Sequence, residues 1–117
     1  MAKIKHMLKE AIEAVQNKKT FDIKLLDISE LSSIADYFLI CSANNERQVQ
    51  SASDEVERKM KDNEFNVLNI EGYRSGRWIL MDLGDVVVHI FHKEDRDFYN
   101  LDRLWVDAEN IDIDNII

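Results

Sequence analysis

Apolar residues recur at intervals of three and four along the first stretch of the chain, at Ile4, Met7, Leu8, Ala11, Ile12 and Val15, with lysines and glutamates between them. That spacing gathers one apolar stripe and predicts an amphipathic helix over residues 1–17. A second stripe, Val49, Ala52, Val56 and Met60, follows two good helix N-caps, Asn44 and Asn45. Gln48 stands three residues after Asn45, as in a capping box, so a helix is expected there, running to residue 62 and ended by Asn63. Short runs rich in Ile, Leu, Val and aromatics predict strands at 21–28, 36–42, 65–70, 77–82 and 85–91. The second of these, DYFLICS, is apolar through its middle and reads as a central strand. A glycine-containing turn covers 72–76, and Leu83-Gly84 reads as the two-residue turn between the last two strands. Residues 94–108 form a helical segment with Phe98, Leu101, Leu104 and Trp105 on one side, and the ending ENIDIDNII has no strong pattern and reads as a tail.

The order α-β-β-α-β-β-β-α predicts one α/β domain over residues 1–108, followed by a tail at 109–117. Its mixed sheet has about five strands, with helices mainly on one face. Two main helices cannot easily cover both faces of such a sheet, so one face is left for a partner or a second copy. Alternation along the strands says which residues lie there. Trp78, Leu80 and Asp82 point one way and Ile79 and Met81 the other; Val86, Val88 and Ile90 share one face, while Asp85, Val87, His89 and Phe91 share its opposite. A turn at Leu83-Gly84 sets Asp82 opposite Asp85 and Trp78 opposite His89. The aliphatic side then packs on the helices and the Trp, His and Asp side is the open one.

Composition narrows the chemistry. Of the 117 residues, 45% are hydrophobic, enough for a packed core, and proline is absent, so no rigid linker divides the chain. The apolar runs near Val86 and Phe91 are far shorter than the roughly 20 residues of a membrane-spanning helix, and the first residues lack an apolar signal-peptide core. The lone Cys41 makes no internal disulfide; it fits a reducing cytosol and a small buried position in a strand. A formal net charge of −8 has the wrong sign for nucleic-acid binding as the main mode. It suits a basic protein partner, or serves solubility alone.

Signals for catalysis are weak. His89 and His92 stand three apart on a strand and point to opposite faces, and no HExxH, cysteine pair or Walker loop occurs. Neither a catalytic residue nor a metal or other cofactor is expected. Asp82 and Asp85 would bind magnesium only with a third carboxylate; the favoured reading is that they satisfy turn donors. Trp78 is either core or a partly exposed anchor of the kind that dominates binding hot spots. Arg96, between Asp95 and Asp97, is open to simple pairing with a neighbour.

Three stretches together resemble the ribosomal silencing factor family (RsfS, with the plant relative Iojap): DISELSSIADYFLICSA, the ERQVQ…DEVE helix, and EGYRSGRWILMDLGDVVVHIFHKEDRDFYNLDRLW. The last is the most specific, with its W-x-x-x-D-x-G-D-V-V-V-H and R-x-F-Y-x-L-x-x-L-W spacing. The resemblance covers nearly all of residues 1–108. It implies an α/β fold related to nucleotidyltransferases without their catalytic motif, and the region reading CSANNERQV indeed lacks a Gly-Ser and D-x-D pattern. It implies a cytoplasmic homodimer that is not an enzyme. Such a protein binds the large ribosomal subunit through the basic large-subunit protein fourteen and sterically blocks joining of the small subunit, repressing translation. Tyr73, Trp78, Asp82, His89, Arg96 and Tyr99 fall on the family motif and are the expected partner-binding residues. Acidic Asp82, Asp85, Glu94, Asp95 and Asp97 are expected to meet the partner's lysines and arginines. The alternatives are a metal-dependent enzyme of nucleotidyltransferase type and an adaptor for some other basic protein.

Overall fold

The protein's structure is a computed structural model that describes residues 2–99 and 107–116, with backbone alone at 2 and 97–99. Helix α1 spans Ala2–Asn17, α2 Glu46–Asp62 and α3 Lys93–Tyr99. The strands are β1 Phe21–Asp27, β2 Tyr37–Ala43, β3 Asn69–Glu71, β4 Trp78–Asp82, β5 Val86–His92 and β6 Glu109–Ile111. They form one mixed sheet in the order β3-β4-β5-β2-β1-β6, in which only β2 and β5 run parallel. The sheet therefore has six described strands rather than five. The sixth comes from residues expected to be a tail: Ile111 pairs with Leu25 and Glu109 with Asp27. Three residues of mostly polar sequence show no strand period, and their pairing is set by the β1 edge they meet.

Central position follows from composition. All seven residues of β5 are buried, as are six of the seven in β2, matching their near-continuous apolar sequences. The first face carries Leu39, Cys41, Ile79, Met81, Val86, Val88 and Ile90, packed under the stripes of α1 and α2. The α2 stripe is the expected one, Val49, Ala52, Val56 and Met60, joined by Ser53. Asn45 Oδ1 accepts the Gln48 N–H at 2.8 Å, while Gln48 Oε1 accepts from the Asn44 N–H at 2.7 Å, one residue outside the usual reciprocal cap. Gln48 Nε2 also donates to the Lys18 carbonyl at 2.8 Å, tying the start of α2 to the end of α1.

The β4–β5 hairpin keeps the expected faces but not the expected register. Asp82 pairs with Val87, Leu80 with His89 and Trp78 with Phe91, and the Leu83 N–H donates to the Val86 carbonyl at 2.9 Å. The tip is Gly84-Asp85 rather than Leu83-Gly84. Leu83 is buried in the first-face core, which holds it just beyond the end of β4 and opposite Val86, and Gly84 takes φ 95° at the first tip position, where a side chain is disfavoured. The shift is two residues, an even number, so the side chains within β4 and β5 keep their faces, while Asp85 becomes a tip residue beside Met7 and Leu83.

The second face holds a smaller core of Leu26, Ile28, Ala35, Phe38, Ile40, Val87, Phe91 and Ala108, with Trp78 and Leu80 packed against it. His89 lies among them at 3% exposure, so the face is closed rather than open at this position. Helix α3 covers part of it through contacts with β5 and β2. The rest of the expected helical segment, including Leu101, Leu104 and Trp105, lies outside the described residues.

Two measurements check this architecture. Gly72 has φ 82°, and an added Cβ would collide with the Trp78 carbonyl of the loop it closes. Gly72→Ala is expected to lower unfolding stability by about 2 kcal/mol or more, read as a reduced urea midpoint. Burial pushes the His89 imidazole down from 6.5 to about 4. Between those values the unfolded chain holds the extra proton, so the stabilising effect of a neutral His89 is complete above pH 6.5 and falls away as the pH drops toward 4. The urea midpoint of the wild-type protein should fall between pH 6.5 and about 5, and His89→Asn should flatten that slope.

Candidate functional site

Trp78 sits where β4 enters the sheet, its side chain on the second face by strand alternation. Its ring stacks on Phe91, the residue directly across β5, with centroids 5.0 Å apart and planes at 21°. Its indole Nε1–H donates to His89 Nδ1 at 3.1 Å. His89 is met edge-on by Phe38 of β2, centroids 4.6 Å apart. The result is an aromatic band across three strands, in which the half-buried indole is the exposed end. Such ring pairs add about 0.5–1.5 kcal/mol each beyond their area.

The hydrogen bond fixes the histidine chemistry. Nδ1 accepts from Trp78, so the proton of the neutral ring sits on Nε2. That Nε2 is buried and has no hydrogen-bond partner among the described residues. Protonating Nδ1 would break the Trp78 bond. Burial is what holds the ring neutral.

The other expected residues divide by position. Asp82 is on the same strand and face as Trp78 but at its far end, where Oδ1 accepts the Gly84 N–H at 2.9 Å. The turn role expected for it is present. Arg96 is not on a solvated turn: it is 7% exposed and donates to Ser42 Oγ at 2.8 Å. Ser42 is the β2 partner of Phe91, which places Arg96 at the Trp78 end of the face. Tyr73 goes elsewhere. It lies on the β3–β4 loop, and its hydroxyl donates to Asp54 of α2 at 3.2 Å, so it belongs to the helical side. That bond, first, and burial raise the Tyr73 hydroxyl above its ordinary value. Tyr99 ends α3, and its side chain lies outside the described residues. The structure thus brings Trp78 and His89 into contact, sets Asp82 and Arg96 at opposite ends of their face, and separates Tyr73 from them.

Arg77 carries a role that the sequence did not signal. Its guanidinium donates to Asp95 at 2.7 and 3.3 Å, and to Glu94 and Glu46 at 3.4 and 3.5 Å. It pins the start of α3 beside the start of α2. His92 helps, its Nδ1 accepting the Glu94 N–H at 3.1 Å. Glu94 and Asp95 are therefore engaged within the protein, not simply presented to a partner. Partners 17 and 18 residues away follow no helical or strand period, so only the folded chain reveals them.

No group of three or more His, Cys, Asp or Glu among the described residues is arranged to hold a metal ion. Cys41 is fully buried, and its thiol is pushed up to about 12 by that burial. No described helix is long and apolar enough to cross a membrane. The candidate site is a surface, part aromatic and part acidic, on the second face of the sheet.

The family model described as "Ribosomal silencing factor during starvation" (RsfS) matches residues 1–117. The chain is 46% identical over 110 residues to the ribosomal silencing factor RsfS of Bacillus subtilis, covering 94% of this chain and 93% of that protein. It is 42% identical over 111 residues to the protein of the same name from Halalkalibacterium halodurans, covering 95% of each. A crystal structure of a Bacillus halodurans protein superposes with a TM-score of 0.82 at 39% identity, covering 92% of this chain and 97% of that one. With its whole length matched by the family model and its fold matched by a solved structure, this chain belongs to the ribosomal silencing factor family.

Proposed function

We propose that this protein represses translation in the cytoplasm by binding the large ribosomal subunit and sterically preventing the small subunit from joining. The observation that carries this reading is the match of the silencing-factor family model to the entire chain. The partner on the large subunit is a basic ribosomal protein, large-subunit protein fourteen, and the binding form is a homodimer. No chemical step is needed; the bound protein occupies space that the small subunit requires.

The acidic net charge of −8 supports a cationic protein partner over nucleic acid. The contact is assigned to the second face around half-buried Trp78 and Leu80, with Asp82 and exposed Asp85 at the hairpin end. His89 acts there by orienting the indole, and Arg96 by holding α3 against Ser42. Neither needs to touch the partner. Charge speeds and orients the encounter, while desolvated apolar contact sets the lifetime of the complex.

The test is sedimentation of purified subunits with added protein. Wild-type protein should co-sediment with large subunits and reduce formation of joined ribosomes. Asp85→Arg, at an exposed position, should weaken co-sedimentation about tenfold at low salt, and less as salt rises. Trp78→Phe keeps a ring on Phe91 but loses the donor to His89, and should weaken binding while leaving the far-ultraviolet circular dichroism unchanged. Joining that proceeds normally at saturating wild-type protein would falsify the proposal.

A further inference from the structure

The loop 28–36 between β1 and β2 is short, closed and internally bonded. The Ile28 N–H donates to the Asp36 carbonyl at 2.9 Å, joining the loop's two ends. The Leu31 and Ser32 N–H groups donate to the Ile28 carbonyl at 2.9 and 3.0 Å, and the Ile34 N–H to Ser32 Oγ at 3.1 Å. Asp27 Oδ1 accepts from both the N–H and the hydroxyl of Ser29, at 3.0 and 2.6 Å. Ile28 and Ala35 anchor the loop in the second-face core. Between those anchors Leu31 is 48% exposed and Ile34 78%. A loop with these bonds could turn its apolar residues inward only by breaking them. It holds two aliphatic side chains in water in a fixed arrangement, which lowers the entropy cost of binding.

Beside Leu31 lies a slot of about 210 Å³ whose lining includes Asp27, Glu30, Asp107 and Glu109. Among the described residues its lining contains no basic side chain. These carboxylates come from the end of β1, the loop, the approach to β6 and its first residue, so the topology collects them. They are not arranged as a metal site. The slot suits one extended organic cation, such as a guanidinium or ammonium on a flexible stem. A second copy docking the same patch would bring the same carboxylates against themselves.

We infer that the loop 28–36 and its acidic slot dock a cationic polypeptide segment, one Arg or Lys entering the slot and an aliphatic or aromatic neighbour covering Leu31 and Ile34. This rests on the proposed ribosome-binding function and assigns its apolar anchor. Trp78 is already stacked on Phe91 and bonded to His89, whereas the exposed Ile34 and Leu31 have more to gain from a partner's cover. The patch borders the Asp82 and Asp85 end of the same sheet, so one basic partner can span both.

Two double variants test it, Leu31→Ser with Ile34→Ser, and Glu30→Lys with Asp107→Lys, all at exposed positions. Each is titrated against purified large subunits across a salt series, and sedimentation velocity of the protein alone gives its oligomeric state. The apolar variant should bind about tenfold more weakly at every salt concentration. The charge variant should lose about as much at low salt and recover toward wild type as salt screens the slot. Thermal melts of both should stay close to wild type. If wild-type protein binds and both variants bind equally well, the loop is not the docking site, though ribosome binding stands. If wild-type protein does not bind, the underlying function falls and this assignment with it. A change in oligomeric mass of the apolar variant would identify a second copy as the occupant and overturn the inference.

Discussion

The parallel pairing of β2 with β5 is the constraint on which the rest of the structure depends. Seven residues of each strand are in register, from Tyr37 with Val86 to Ala43 with His92. Both strands are buried on both faces, so both faces must be covered. The first face is covered by α1 and α2. The second gets the loop 28–36, the first turns of α3 and its own aromatic residues. Parallel strands cannot be joined by a tight turn, so α2, β3 and β4 all lie within the crossover. That places the β4–β5 hairpin, and with it Trp78, beside the central pair.

Uneven covering gives the second face its character. Its interior holds polar groups that an aliphatic core would exclude: His89, Ser42 and Arg96, all buried. Each is tied to a named neighbour, His89 to Trp78 and Arg96 to Ser42. A buried charge or imidazole costs stability unless it is bonded, and these bonds fix where the indole and α3 lie. Arg77 extends the same logic to the rim, linking the starts of α2 and α3 through three carboxylates. The face proposed to meet the ribosome is therefore set by polar contacts beneath it. Steric exclusion asks for no more than a rigid body of the right shape and charge.

Much of this was legible in the primary structure. The stripes of α1 and α2, the Asn45 cap and the two-face alternation of β4 and β5 are local and periodic, and the fold keeps all of them. Trp78 and His89 stayed on one face although the register moved and set Trp78 opposite Phe91, because a shift of two preserves parity. The motif spacing from Trp78 through Trp105 was specific enough to indicate the family.

What the sequence determined was which residues share an element and a face, because helical and strand periods are properties of neighbouring residues. Tertiary structure alone decided the rest. Burial of Leu83 moved the hairpin tip to Gly84-Asp85, and the free edge of β1 recruited Glu109–Ile111 as a sixth strand. Tyr73 went to Asp54 on the helical side, and Arg77 found acids 17 and 18 residues onward. Carboxylates scattered from Asp27 to Glu109 met at one slot beside Leu31. Each of these depends on which surfaces meet after folding, and no local period encodes a contact between residues that become neighbours only when the sheet closes.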